Sequence, residues 1–400
     1  MQALFERISQ LARAHAGWVA LAAALGLTVV GVEAIATVEP GFATKQARWV
    51  PIGLVAMALC LWPHPRVLGW LSYPLLGVLI GVLVVLILPF APRSLVPIRN
   101  GATSWVDLGM MSIQPSELAK IAFVMAMAWY LRYRASYRTL RGLIVPFVIM
   151  LVPVGLILKQ PDLGTALLFA PTLLVMLVAA GAKLRHLGAL VGLGGAAVAL
   201  VVAVTLYAPD SMQLLQPHQQ DRIRSMLSLA AGETRYLDDD AYQQAKAMTL
   251  VGAGQLTGYG DTRATTILEF NHLPFDHNDM IFAVIASRWG LLGALGVIAL
   301  YLLLIGSFLA IAARSKDPFA RMCCVGFAGM VFTQTTINIG MTVGLLPITG
   351  ITLPLISYGG SSLLATFLMV GLAINFASRR PTMMSRPSFE FDQHADAIFQ

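Results

Sequence analysis

The stretch that decides the fold class is DMIFAVIASRWGLLGALGVIALYLLLIGSFLAIAA, residues 279–313. Its charged residues are Asp279 at the first position and Arg288 near one end. An apolar helix crosses a bilayer with about 20 residues, so this segment is long enough to span it and to tilt or break. Gly290, Gly293 and Gly296 mark where it could do so. The segment therefore predicts a membrane protein.

The composition of the whole chain agrees with a membrane protein. Hydrophobic residues make up 57% of the 400 residues and charged residues 12%, against about 45–50% and about 25% in soluble domains. The mean hydropathy of +0.74 excludes a soluble enzyme, a disordered protein and a fibrous protein. The three cysteines, Cys60, Cys323 and Cys324, lie in apolar runs, which predicts small buried side chains rather than disulfides.

The number of apolar stretches predicts an all-α polytopic membrane protein with about ten transmembrane helices. Their approximate bounds are 17–36, 49–63, 71–90, 117–133, 143–158, 165–182, 187–208, 279–313, 322–345 and 360–378. The chain then divides into an N-terminal segment (1–16), helices 1–7 (17–208), a polar loop (209–278), helices 8–10 (279–378) and a C-terminal tail (379–400).

The distribution of Lys and Arg predicts the orientation. With the N-terminus inside, fifteen of these residues fall in cytoplasmic segments and five in the short loops opposite, which favours both termini in the cytoplasm. The large loop 209–278 then faces the periplasm or cell exterior. This loop and Asp279 hold ten of the twenty acidic residues. Within it, Asp238–Asp240 predicts a solvated turn, and the glycine-rich stretch 252–260 predicts a flexible loop over a substrate.

Ionisable side chains inside apolar segments usually mark a site, because a charge in the bilayer costs about 2.5–3.5 kcal/mol on insertion scales. Glu33 has no evident partner in the sequence, and Arg288 must find a partner or a water-filled cavity. Glu117 and Lys120 share a helix face at i, i+3 spacing, so they form an ion pair or bind an anionic substrate. Asp162 follows a break between two spans, where it is either an N-cap or part of a site.

Asp279 is the most informative of these residues, since it ends the polar loop and begins an apolar helix. A carboxylate there is either a helix cap or a general base acting on a lipid-linked substrate at the membrane surface. Together with His272, Asp276 and His277 it could bind a divalent cation such as Mg²⁺ or Mn²⁺, although the spacing matches no specific metal template. The sequence contains no motif for an organic cofactor.

Eight motifs in a fixed order resemble the SEDS family (shape, elongation, division and sporulation), and its RodA branch more closely than its FtsW branch. They are NGATSWVDLG (100–109), QPSELAK (114–120), KQPDLGTA (159–166), QPHQQDRI (216–223), AYQQAKAMTLVGAGQLTGYG (241–260), HNDMIFAVI (277–285), NIGMTVGLLPITGITLP (338–354) and SYGGSS (357–362). The large loop between the seventh and eighth spans also fits the family.

The resemblance implies a peptidoglycan glycosyltransferase in the bacterial cytoplasmic membrane. Such an enzyme polymerises lipid II onto a growing glycan strand, usually beside a class B penicillin-binding protein that crosslinks the strands. Membrane lipids surround it, and no nucleic acid is involved. The resemblance places the catalytic carboxylate on Asp279 and substrate-binding roles on Trp105, Glu117, Lys120, Asp162, Gln219 and Arg222. The chain departs from the family at Ser104, His218, Phe275 and the ASRWG stretch at 286–290.

The chemistry of lipid II also bears on the residues. A disaccharide peptide on a polyprenyl diphosphate needs cations for the diphosphate, for which the chain offers Arg222 and Lys120. It also needs a base for the acceptor hydroxyl, for which the chain offers Asp279. Two alternatives stay open at this point: a lipid II flippase or transporter, which would use similar broken helices and charges, and a non-catalytic scaffold of the elongation or division complex.

Overall fold

The computed structural model describes residues 2–88, 96–97, 103–107, 109, 111–134, 136–207, 220, 240–271 and 278–379. Helices in this part of the chain are α1 (Gln2–Val38), α2 (Pro40–Leu59), α3 (Pro65–Ile87), α4 (Pro115–Leu131), α5 (Ile144–Lys159), α6 (Leu163–Leu167), α7 (Phe169–Ala180), α8 (Leu184–Tyr207), α9 (Asp240–Ala253), α10 (Gly260–Asn271), α11 (Ile281–Arg314), α12 (Pro318–Thr342) and α13 (Gly360–Ser378). Two short antiparallel strands, β1 (Val106–Asp107) and β2 (Ser112–Ile113), precede α4.

Eight helical segments in the described ranges are long and apolar enough to cross a membrane, which confirms the all-α polytopic membrane fold. The predicted spans 49–63 and 117–133 are not among these eight, yet both form helices, α2 and α4. Helix α4 is 17 residues long and buried over most of its surface. That ten helices cross the bilayer therefore stays a prediction, although each of the ten predicted spans coincides with helical structure.

Local sequence signals set the helix ends. Proline occupies the first position of α2, α3, α4 and α12, where its fixed φ suits the helix and its missing N–H costs nothing. The carboxylate of Asp317 accepts a hydrogen bond from the Phe319 amide at 3.1 Å and caps α12. At the other end of a helix, Gly181 takes the left-handed conformation and terminates α7.

Among the candidate membrane spans, the two least apolar helices, α12 and α13, are the most buried. Helix α1 packs against α11, α11 against α12, α3 against α4, and α2 against α13. Helices α12 and α13 are buried along most of their length, although α12 carries several polar residues. Because lipid cannot hydrogen-bond these groups, they are placed where other protein groups satisfy them.

Helix α11 breaks at Gly290, whose φ of 64° lies outside the helical region, so the predicted break is confirmed at the first of the three glycines. The segment Gly254–Tyr259 closes around this break. The Tyr259 amide donates to the Ser287 carbonyl at 2.9 Å, and the Leu291 amide donates to the Gln255 carbonyl at 2.8 Å. These hydrogen bonds hold the segment against α11, so the prediction of a flexible loop at 252–260 is wrong. The glycines of this stretch permit the close backbone contact.

Two further parts of the predicted polar loop are helical. Helices α9 and α10 lie within residues 209–278 and pack against α11. Asp240 is the first residue of α9, whereas Asp238 and Asp239 lie outside the described residues. On α9, the Gln244 amide donates to the carbonyls of Met341 at 2.9 Å and Leu346 at 2.7 Å. This contact ties the loop to the end of α12.

Candidate active site

Asp279 lies at the N-terminal end of α11, two residues before the helix begins at Ile281. Met280 occupies the N-cap position, so Asp279 precedes the cap. Its side chain is largely buried, with 8% of the residue exposed. The positive end of the helix dipole at this position stabilises a carboxylate in its ionised form. The structure thus places an acidic group at the end of a membrane helix, beside the inner polar residues of α12.

Asn338 of α12 is the side chain that joins this end of α11 to the rest of the bundle. Its amide nitrogen donates to the backbone carbonyl of Asp279 at 2.8 Å and to that of Ile351 at 2.7 Å. Sequence reasoning did not identify Asn338 as a site residue. The available signal was its i, i+4 spacing from Gln334, which places two amides on one face of a predicted membrane helix.

Glu117 and Lys120 form a buried ion pair. The Lys120 ammonium lies 2.9 Å from the Glu117 carboxylate and donates to the Gln334 side-chain oxygen at 3.1 Å. Only 1% of Lys120 is exposed. Of the two alternatives left open by the sequence, the structure favours the ion pair. The ammonium is enclosed by protein in this conformation, so a direct contact between Lys120 and a diphosphate is not supported.

Asp162 is the N-cap of α6, as the first of its two alternatives predicts. One carboxylate oxygen accepts a hydrogen bond from the Thr165 amide at 3.0 Å. The other accepts from the Gln114 side-chain amide at 2.9 Å and from the Ser116 hydroxyl at 3.2 Å. Asp162 therefore connects the start of α6 to the start of α4.

The segment 349–352, between α12 and α13, is where these polar contacts meet. The Gln334 amide donates to the Thr352 carbonyl at 2.9 Å, and the Thr352 hydroxyl donates to the Ser362 hydroxyl at 3.2 Å. A Cβ at Gly164 would lie 2.7 Å from the Thr349 carbonyl oxygen, so α6 approaches the same segment closely. We call residues 349–352 the hub segment. It links the surroundings of Asp279, Lys120 and Asp162.

The sequence predicted that Arg288 needs a partner or a water-filled cavity, and its partners lie in α1. Its guanidinium donates to the Glu33 carbonyl and to the Thr37 hydroxyl, both at 2.6 Å. The Glu33 carboxylate lies 3.5 Å from the same guanidinium. Glu33 therefore has a partner. The sequence did not reveal it, because Arg288 lies 255 positions away in the chain.

The remaining predicted site residues divide into two groups. Trp105 is described and half-buried, next to the buried Ser104, whose hydroxyl donates to the Gln160 carbonyl at 3.0 Å. Two others, Gln219 and Arg222, lie outside the described residues. So do three candidate metal ligands and two positions at which the chain departs from the family; they are His272, Asp276, His277, His218 and Phe275. Among the residues that the structure does describe, no group of three His, Cys, Asp or Glu side chains could hold a metal ion.

The fold and this site define a polytopic helical membrane protein with an acidic residue at a helix end and a buried polar network behind it. The model of the FtsW, RodA and SpoVE family of cell cycle proteins matches residues 12–381. The chain belongs to this family, as the eight motifs indicated.

Known relatives agree with this membership. Peptidoglycan glycosyltransferase MrdB of Escherichia coli is 33% identical over 347 residues, which cover 85% of this chain and 86% of MrdB. The probable peptidoglycan glycosyltransferase FtsW of Mycobacterium tuberculosis is 34% identical and covers 84% of this chain and 61% of its own length. Since relatives of both branches match to a similar degree, the assignment to the RodA branch stays a prediction.

A solved structure has the same fold. It is a chain from a study of how a peptidoglycan synthase complex coordinates polymerization and crosslinking, with a TM-score of 0.73 and 31% identity. The similarity covers 90% of this chain and 97% of that one. The likeness therefore extends over the helical bundle rather than over a single motif.

Proposed function

We propose that this protein is a peptidoglycan glycosyltransferase that polymerises lipid II into glycan strands at the outer face of the bacterial cytoplasmic membrane. The observation that carries the proposal is the position of Asp279. Its carboxylate is largely buried at the end of a membrane helix, and its backbone carbonyl accepts a hydrogen bond from Asn338. Membership of the family and the names of its relatives support the same activity.

The reaction needs one base and one good leaving group. Asp279 takes the proton from the acceptor 4-hydroxyl, whose oxygen then attacks the anomeric carbon of the donor sugar. The bond from that carbon to the polyprenyl diphosphate breaks as the new glycosidic bond forms. Because the diphosphate is a good leaving group, no general acid is required. In-line displacement inverts the anomeric centre and gives a β-linked strand.

The other site residues have positioning or binding roles in this proposal. Arg222 holds the diphosphate, because a guanidinium can grip phosphate oxygens through two parallel hydrogen bonds. Gln219 and Trp105 contact the substrate. The ion pair of Glu117 with Lys120, together with Asp162, keeps α4 and α6 in place against the hub segment.

The proposed setting is the cytoplasmic membrane, with both termini inside and α9 and α10 outside, as the Lys and Arg distribution favours. A class B penicillin-binding protein is the proposed partner, since a similar chain occurs in a peptidoglycan synthase complex. The partner's transpeptidase would crosslink the strands that this chain produces. The acidic site then faces the outer leaflet, from which lipid II is drawn.

A lipid II flippase is the rival function. A carrier binds its substrate near the bilayer midplane with groups that its two conformations expose in turn. Here Lys120 is closed into a pair with Glu117, and Arg288 is bound to Glu33 and Thr37. These contacts give the intramembrane charges a structural role, and they favour the polymerase.

The experiment is reconstitution of the purified full chain in proteoliposomes with labelled lipid II. We expect glycan polymer on a gel, and more of it when a class B penicillin-binding protein is present; parallel reactions with Mg²⁺, Mn²⁺ or EDTA measure any requirement for a divalent cation. Translocation of lipid II without polymer would favour the flippase. If the protein neither polymerises nor translocates lipid II, with or without the partner, the result would favour the scaffold.

A further inference from the structure

The backbone of Asp279 is held from outside its own helix. Residues within a helix have their peptides oriented by the regular pattern of i to i−4 hydrogen bonds, whereas residues before the N-cap do not. Asp279 precedes the N-cap Met280. The direction of its carboxylate therefore depends on contacts with neighbouring elements, and the Asn338 amide supplies one of them to its carbonyl.

We propose that Asn338 is a positioning residue for the glycosyl transfer, which fixes the carboxylate of Asp279 through its backbone. This inference rests on the proposed function. Asn338 is completely buried, and its two N–H donors go to two different elements, the start of α11 and the hub segment. A single planar amide thus sets the distance between Asp279 and Ile351.

Asparagine suits this role for two physical reasons. Its side chain has only two rotatable bonds, so little freedom is lost when it bridges two carbonyls. The two hydrogens of its amide point in fixed directions, and each buried carbonyl receives one of them. Substitution by a side chain without donors leaves both buried carbonyls without this hydrogen bond, which costs free energy.

Neighbouring contacts show what Asn338 adds. Gln334 lies one helical turn earlier on α12 and donates to the Thr352 carbonyl of the same hub segment. Its oxygen accepts a hydrogen bond from the Lys120 ammonium, and it does not donate to the Asp279 carbonyl as Asn338 does. The two amides therefore share a helix face, a degree of burial and a target segment, and differ in whether they contact the residue that carries the proposed base.

The test compares Asn338→Asp with Gln334→Glu in the full chain. Each exchange keeps the shape of the side chain and removes its N–H donors. The measurements are the kcat and KM for labelled lipid II and the melting temperature in detergent. For Asn338→Asp we expect kcat to fall about tenfold to a hundredfold, because a displacement of about 1 Å can cost that much, with KM within about twofold. Gln334→Glu should lower kcat less at a similar melting temperature.

A second variant covers the effect of a buried acid. Asn338→Ser removes the amide bridge without adding charge and should also lower kcat while leaving KM unchanged. Wild-type kcat in a folded variant at 338, or equal kcat losses at 334 and 338, would overturn the proposal. Failure of both variants at 338 to fold would assign Asn338 a purely structural role and would overturn it as well. If instead the wild-type protein makes no polymer from lipid II, the proposed function itself fails.

Discussion

The guanidinium of Arg288 in α11 donates to the backbone carbonyl of Glu33 in α1 at 2.6 Å. Arg288 is the residue next but one to the break at Gly290, and it is mostly buried. Its contact therefore attaches the first part of α11, which carries Asp279 at its start, to the neighbouring helix. The Glu33 carboxylate also forms an ion pair with this guanidinium at 3.5 Å, and the Glu33 side chain is 58% exposed.

Arg288→Met should destabilise the protein by about 1.5–3 kcal/mol, because hydrogen bonds from a charged donor to the Glu33 carbonyl and the Thr37 hydroxyl are lost. Glu33→Gln is the matched control and should cost less than about 1 kcal/mol, since the ion pair is long and exposed. Thermal unfolding in detergent measures both. If the Gln variant proves as unstable as the Met variant, the carboxylate rather than the carbonyl contact holds the two helices together.

Lys120→Met should destabilise strongly, by about 3–5 kcal/mol, because it leaves the Glu117 carboxylate buried without its cation. The double variant Lys120→Met with Glu117→Gln should recover much of this loss, since the uncompensated charge is gone. Melting temperature and lipid II binding are the measurements. A single Lys120→Met variant that melts normally but binds lipid II weakly would return Lys120 to the diphosphate site.

Gly258→Ala should disrupt the contact of residues 254–259 with the break in α11. Gly258 has a positive φ, and a Cβ there would lie 2.2 Å from the Arg288 carbonyl oxygen. The control is Gly260→Ala, since Gly260 also has a positive φ but would place its Cβ in open space. We expect Gly258→Ala to cost about 1–3 kcal/mol more than its control, as measured by melting temperature. Equal losses would mean that the contact is loose in solution.

Arg222→Ala should weaken lipid II binding more than Arg222→Lys does, because lysine keeps the charge but loses the bidentate grip on phosphate. The matched control is Arg224→Ala, two positions further along the loop. The measurement is the binding of each variant to lipid II in nanodiscs at several salt concentrations. Wild-type polymerisation by Arg222→Ala at limiting lipid II would remove this residue from the site.

Local patterns in the sequence predicted the helices, gave Gly290 as one of three places for a break, and gave the cap as one of two alternatives for Asp162. Each of these depends on residues within a few positions of one another, such as an apolar run or a carboxylate three residues before an amide. The sequence also indicated that Arg288 needs a partner, because the cost of a lone charge in a bilayer does not depend on the fold.

Contacts between distant residues could not be predicted in this way. Asn338 and Asp279 are 59 positions apart, and no periodicity connects them. The glycines at 254 and 258 suggested a flexible loop, since a glycine required by a close backbone approach looks the same in a sequence as one in a mobile segment. Choosing between an ion pair and a ligand role for Lys120 needed its burial, which depends on α12 packing over α4.

The substitution Asp279→Asn tests whether the Asp279 carboxylate is the general base. Asparagine keeps the size of the side chain, and the contact from Asn338 goes to the backbone carbonyl, which the substitution does not alter. The variant should therefore fold and bind lipid II.

The decisive measurement is the initial rate of lipid II polymerisation by purified Asp279→Asn beside the wild type. We expect a loss of about a hundredfold to ten-thousandfold, as is typical when a general base is removed. Asp162→Asn, which changes another polar carboxylate in the bundle, should be milder. Polymerisation by Asp279→Asn at close to the wild-type rate would show that Asp279 is not the base.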